Sequence, residues 1–159
     1  MRLSGVPALA GMLLVCAAAA VAQTSTAQSA MAQQAAGPDA AVVAKAKAGD
    51  PAAETKLGDF YADKSTPEGY TEAATWYNKA AAKEYAEAEY KLGIAYCWHE
   101  GVPQDYSEGY YYIALGIADG VEDSNHWLNF ATSHMTAAEV TAAKEKAHRW
   151  LEAHPPRHK

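Results

Sequence analysis

Ala53-Glu54-Thr55-Lys56-Leu57-Gly58-Asp59-Phe60-Tyr61 and Ala88-Glu89-Tyr90-Lys91-Leu92-Gly93-Ile94-Ala95-Tyr96 are two copies of one pattern, 35 positions apart. Within each, Ala, Leu and Tyr fall at i, i+4 and i+8, the spacing of one apolar stripe on an α-helix. Each stripe is interrupted by a glycine that costs about 1 kcal/mol of helix propensity relative to alanine. The same cost at the same place twice points to a close helix crossing that a side chain would obstruct.

The repetition continues outward from these stretches. Trp76-Tyr77 recurs as Tyr112-Ile113 and Ala73 as Gly109, both 36 apart, so one extra residue falls in a loop of the second copy. Gly49, Glu84 and Gly120 lie eight residues before Leu57, Leu92 and Leu128, which brings a third, fading copy into register. Each unit is a pair of helices, A and B. Helix B of the first carries Ala73, Trp76, Tyr77, Ala80 and Ala81, large and small residues mixed to fit between neighbours. Neither pair buries its apolar face alone, so the copies must stack. The expected fold class is all-α, a short right-handed α-solenoid of helix-turn-helix repeats with about seven helices, over residues 38–153. Residues 39–48, with Val42, Val43 and Ala46, read as a capping helix B. Thr136-Ala137-Ala138-Glu139 reads as a capping box that opens a last helix running to about Glu152. Its Val140, Ala143, Ala147, Trp150 and Leu151 are expected to face the stack.

These residues resemble the Sel-one-like repeats, relatives of the tetratricopeptide repeats. The resemblance rests on Leu92-Gly93-x-x-Tyr96, Gly101-Val102-x-x-Asp105 and Ala118-Asp119-Gly120 in the second repeat. The first repeat adds Ala73-x-x-Trp76-Tyr77-x-Lys79-Ala80-Ala81. It covers about residues 39–153, and the run from Met135 to Trp150 is similar to a helix that often closes such proteins. The chain departs from the family at several points. His99 stands where a loop glycine is usual, Glu108-Gly109 replaces Lys-Ala, and Tyr112-Ile113 replaces Trp-Tyr. The first repeat has Lys64-Ser65-Thr66-Pro67-Glu68-Gly69 in place of the Gly-Val-x-x-Asp loop. The resemblance implies protein–protein interaction: adaptors, exported regulators and secretion-associated proteins. A few cysteine-rich members bind or hydrolyse β-lactams, and this chain lacks their paired cysteines.

The rest of the chain has a different composition. All 16 aromatics lie between Phe60 and Trp150. At the N-terminus, Arg2, an apolar run from Val6 to about Val21, and Ala20-Val21-Ala22 make the three parts of a secretory signal, with cleavage expected after Ala22. This places the mature protein in the periplasm or outside the cell. The run is short and broken by Pro7 and Gly11, which disfavours an uncleaved anchor, so no stable membrane insertion is expected after cleavage. Leu13-Leu14-Val15-Cys16 resembles a lipobox with Val15 where a small residue is usual. Residues 23–37 are small and polar, a flexible tether, and residues 154–159 a disordered tail. Removal of residues 1–22 leaves 137 residues with a charge of −7 and one cysteine, Cys97, so stability must come from packing rather than a disulfide.

The charge argues against nucleic acid as partner. Residues 39–135 carry a balance of −9 and residues 136–159 one of +2, which permits a basic peptide or protein patch. Most acids of the repeats read as a solvated face. Cys97 and His99, two apart on a helix, point to different faces, and Cys97 reads as a buried residue closing helix A. Asp123-Ser124-Asn125-His126 holds the residue types of a hydrolase triad without its geometry. Asp123 or Ser124 reads instead as the cap of a helix whose core is Trp127, Leu128 and Phe130. His148, His154 and His158 match no tight zinc spacing. No catalytic, cofactor or metal residue is therefore assigned.

The run Tyr106, Tyr110, Tyr111, Tyr112 supplies the candidate surface. Consecutive helical residues are about 100° apart, so a helix cannot bury three neighbouring tyrosines on one face. By its register with Trp76, Tyr112 takes the core position. Tyr110 or Tyr111 is then partly exposed beside Trp98 and His99, or packs against the C-terminal helix. Trp98, His99, Tyr110 and Tyr111 are the candidate protein-binding residues. The functional expectation is an exported, non-enzymatic module that binds a protein or peptide. A periplasmic hydrolase of the β-lactam-active type and a small inhibitor or immunity-type protein are the alternatives, and self-association through the repeat ends stays open.

Overall fold

A computed structural model of the chain describes residues 37–122 and 125–155. The secretory signal, the lipobox cysteine Cys16, nearly all of the tether, the Asp123-Ser124 pair and His158 lie outside them. The described residues form seven α-helices and no strand, the all-α class expected. They are α1 (Ala40–Lys47), α2 (Pro51–Ala62), α3 (Pro67–Ala81), α4 (Ala86–Trp98), α5 (Tyr106–Ala118), α6 (His126–Ser133) and α7 (Ala137–Ala153). Each of the first six packs on the next, except that α6 and α7 both lie against α5. α2 also touches α4. These are stacked hairpins, α2–α3 and α4–α5, closed by α1 at one end and by α6 and α7 at the other.

Local chemistry sets the boundaries. Asp50 accepts hydrogen bonds from the N–H groups of Ala52 and Ala53, with Pro51 at the first helical position. Thr66 caps α3 by accepting from Gly69 N. Asp105, the last residue of the Gly-Val-x-x-Asp motif, caps α5 by accepting from Ser107 and Glu108. The motif's first residue, Gly101, lies at φ +74° with its α-carbon against the Tyr70 carbonyl, so the loop rests on the first turn of α3. The capping box of α7 is complete: Thr136 Oγ1 accepts from Glu139 N while Glu139 accepts from Thr136 N. Those bonds hold the Glu139 carboxyl below its usual range. A carboxyl whose pKa is lowered on folding supports the helix above its unfolded value, and this support is lost as pH falls through the carboxylate range.

The residues that keep the repeats in phase share one backbone conformation. Gly49, Glu84 and Gly120 have φ of +91°, +56° and +102°. Each closes one copy by turning the chain left-handed after a helix, a conformation glycine adopts without strain. At Glu84 the turn costs about 1 kcal/mol. Glu84→Gly is therefore expected to stabilise the fold by about 0.5–1 kcal/mol, read from the urea midpoint. A lower midpoint would show that the glutamate side chain holds the junction more firmly than strain loosens it.

The core follows the stripes. Ala53 and Leu57 of α2, and Ala88 and Leu92 of α4, are buried, with Tyr61 and Tyr96 half-buried beside them. Val42, Val43 and Ala46 of α1 cover Ala53 and Leu57 as expected of a cap. Both stripe glycines mark close crossings, of different kinds. A β-carbon on Gly58 would stand 2.5 Å from the Tyr77 ring, and one on Gly93 would stand 2.7 Å from the Gly109 carbonyl oxygen. In the second copy Ile113 replaces the ring and Gly109 replaces Ala73, so backbone meets backbone.

At three places the degree of burial is finer-grained than the expected pattern, although the residues named on α5 and α6 do pack on the core. Ile113, in register with Tyr77, and Leu115 are the fully buried large residues of α5, whereas Tyr112 is half-buried and stacks on Tyr96 with ring centroids 5.8 Å apart. In α6 the fully buried residue is Ala131, with Trp127, Leu128 and Phe130 half-buried around it. In α7 only Ala143 and Ala147 are buried, and Val140, Trp150 and Leu151 are half-buried because the helix meets α5 along a narrow strip.

The acids of the repeats are not all on a solvated face. Glu54, Glu89 and Asp119 are buried. Glu54 holds Lys83 Nζ with both oxygens at 2.6 Å, and the same ammonium donates to the Gly49 carbonyl. Lys83 thereby ties the second junction of the array to the first.

Candidate functional site

Trp98 ends α4 because His99 turns left-handed, at φ +61°, in the position where a glycine would serve. The chain then runs back over the helix end. His99 Nδ1 accepts from Gln104 N, while Gln104 Nε2 donates to the Cys97 carbonyl and to the Tyr106 hydroxyl. Trp98 is thus presented by a braced loop rather than by a free end.

Its side chain is 52% exposed, the one large hydrophobic so exposed among the described residues. Two residues of α6 support the ring from one side. Phe130 stacks on it at 5.2 Å with an interplanar angle of 14°, and Trp127 meets it edge-on at 6.1 Å. Behind Phe130, Tyr106 stacks on His134 at 4.7 Å, and His134 leans on Phe130. Four rings from α5, α6 and the α6 cap therefore back the Trp98 ring, directly or through Phe130. Such a ring is fixed before any partner arrives, so little side-chain entropy remains to be lost on binding.

Along α4, Lys91, Ile94 and Trp98 lie at i, i+3 and i+7, one stripe on the surface shared with α2. Lys91 pairs with Asp59 of α2 at 3.0 Å and with Glu87 at 3.6 Å. Beside it a hollow of about 100 Å³ opens between α2, α3 and α4, lined by Ala62, Tyr70, Tyr77, Ile94 and Glu100 among others. Tyr77 donates its hydroxyl to Asp59 at 2.8 Å. Burial, that bond and the neighbouring Asp63 and Glu100 push the Tyr77 hydroxyl well above the usual tyrosine range.

The four candidate binding residues do not converge. Trp98 stands on the aromatic platform, and His99 braces the loop beside it through Gln104 N. Tyr110 and Tyr111 are held against α7 instead. Tyr110 lines a groove with Ala114, Ala147 and Leu151, and Lys146 Nζ lies 4.2 Å over the Tyr111 ring. The same ammonium pairs with Glu108. Burial first, then the adjacent Tyr112, Glu89 and Glu108, push the Tyr111 hydroxyl up to about 12. The two tyrosines therefore lie half-exposed along the last helix, and the rings that join Trp98 are Phe130, Trp127 and Tyr106. Register could have found Phe130, since the third copy places α6 beside α4. The loop that turns Tyr106 toward α6 has no counterpart in the first copy.

Cys97 is 1% exposed, and burial, followed by Asp105, raises its thiol to about 11. Its sulfur fills the space over Gly109, while the His99 ring is engaged by the loop. His126 meets Trp127 edge-on. The helix that follows is capped by Asn125 at φ +59°, without a side-chain bond, where Asp123 or Ser124 was expected. Among the described residues no group of three His, Cys, Asp or Glu is placed to hold a metal ion, and no helix is long and apolar enough to cross a membrane. No protein-family model, characterised protein or solved structure matches the chain.

Proposed function

We propose that this chain is an exported, non-catalytic protein–protein interaction module of the Sel-one-like type, holding a peptide or protein segment on the face that carries Trp98. One observation carries this reading: a tryptophan half open to solvent, stacked on Phe130 and braced by Trp127. An exposed apolar ring is unfavourably hydrated, and burial against a partner recovers that cost. Aromatic anchors of this kind dominate binding energy at protein interfaces. The N-terminal signal pattern supports export, and the in-phase helical pairs support the repeat assignment. Cys97 and His99, the residue types most suggestive of covalent chemistry, are occupied by packing and by a loop bond.

The test is selection of a randomised displayed peptide library on the mature protein. Wild type is expected to enrich a defined set of sequences. Trp98→Ala should weaken the enriched peptides at least ten-fold while its circular dichroism shows the helices intact, the lost contacts to Phe130 and Trp127 costing about 1–2 kcal/mol of stability. Enrichment no better than on a blank surface, or equal binding by both proteins, would overturn the reading.

A further inference from the structure

The hollow lined by Ile94, one helical turn before Trp98 on α4, says more about the partner. Its walls are the apolar faces of Ala62, Ala73, Ile94 and Ala95 with the Tyr70 and Tyr77 rings, and its volume suits one branched aliphatic side chain. It is smaller than the roughly 150 Å³ apolar cavity that takes a benzene ring. The charges at its mouth are unequal. Lys91 is already matched by Asp59 and Glu87. Lys64, just beyond the end of α2, is drawn over the Phe60 and Tyr61 rings. Glu100 is half-buried, and among the described residues its carboxylate has neither a hydrogen bond nor an ion pair. Asp63 adds a further negative charge toward the same ring, Tyr77. The rim is therefore acidic, with one partly desolvated carboxylate left to meet a cation. Burial alone raises the Glu100 carboxyl above its usual range, which an incoming ammonium or guanidinium would reverse.

We infer that this face receives an extended peptide carrying an aliphatic side chain next to a lysine or arginine. The aliphatic group enters the hollow, the cation meets Glu100, and the following residue covers Trp98 one helical turn along α4. The inference rests on the peptide-binding reading above and adds the partner's chemistry. A charge-assisted bond in a partly dry rim is stronger and more selective than one in open water.

Labelled hexapeptide pools with a fixed central pair and uncharged flanks test this by fluorescence anisotropy. The Leu-Arg pool is expected to bind at least ten-fold more tightly than the Leu-Glu and Gly-Arg pools. Glu100→Gln should erase the difference between Leu-Arg and Leu-Glu, with an unchanged thermal midpoint. In a two-dimensional NMR titration of wild type, the Ile94 methyls and the Trp98 indole N–H should shift together with the Leu-Arg pool. That readout needs no variant to fold. Equal affinity of wild type for Leu-Arg and Leu-Glu, or shifts confined to the α5–α7 groove, would overturn the inference. If library peptides are enriched in a Trp98-dependent way while the Leu-Arg pool shows no preference, the inference fails and the peptide-binding reading stands. If neither assay detects binding, both fail.

Discussion

Gly93→Ala is expected to destabilise the protein by about 3 kcal/mol or more, a large share of the roughly 5–15 kcal/mol that holds a domain of this size. The substitution adds one methyl group and gains about 1 kcal/mol of helix propensity, so on propensity alone it should stabilise. Packing decides the sign. The new β-carbon would stand 2.7 Å from the Gly109 carbonyl oxygen and from Ile113 Cγ1, and 2.8 Å from Ile113 N. Two of those three atoms are backbone, so no rotamer change relieves the clash. α4 and α5 must move apart, and that motion opens the space around Leu92 and Ile113, both at 0% exposure. Gly58→Ala meets only the Tyr77 ring, which can swing aside by giving up its bond to Asp59. Its cost should be clearly smaller. Urea denaturation followed by tryptophan fluorescence compares the two. A Gly93→Ala protein within 0.5 kcal/mol of wild type would mean that the crossing has slack the geometry does not show.

Lys83→Met should cost about 2–3 kcal/mol. Its ammonium is the partner of both Glu54 oxygens, and the Glu54 side chain is only 4% exposed. Removing the cation leaves a buried carboxylate and strips the Gly49 carbonyl of its donor. Breaking a fully buried pair costs about 3–5 kcal/mol. Lys83 itself is 39% exposed, which places the expectation below that range. The companion experiment is the double variant Lys83→Met, Glu54→Leu, in which no charge remains to be desolvated. It is expected to recover most of the loss, since apolar replacement of a buried pair is often neutral. A single variant that loses less than 0.5 kcal/mol would show that water reaches Glu54 unaided.

The helix pairs, the glycine crossings, the cap α1 and the Thr136 capping box were legible because each leaves a local or periodic mark in the sequence. Most acids do face solvent, and the buried ones were not singled out, although Glu54 and Glu89 stand 35 apart, in phase with Leu57 and Leu92. That recurrence was the available signal. Acidic residues at regular spacing on a helix ordinarily face water, and nothing near Glu54 in sequence announces Lys83, which arrives from the next junction. Site residues fared unevenly for a related reason. Trp98 follows from its place at the end of a helix. Whether Tyr110 and Tyr111 face solvent or α7 depends on how the last helix docks, and that is set by Lys146 reaching back to Glu108 and Tyr111 across 38 positions.

The three left-handed residues that close each copy have a consequence for how such a chain can grow. Gly49, Glu84 and Gly120 give every copy the same exit, and the caps at Asp50 and Tyr85 give it the same extended entry. A duplication of residues 50–84 would therefore meet itself at a joint the protein already contains, with Lys83 again reaching back to the preceding junction. Length in this architecture is inherited in whole units.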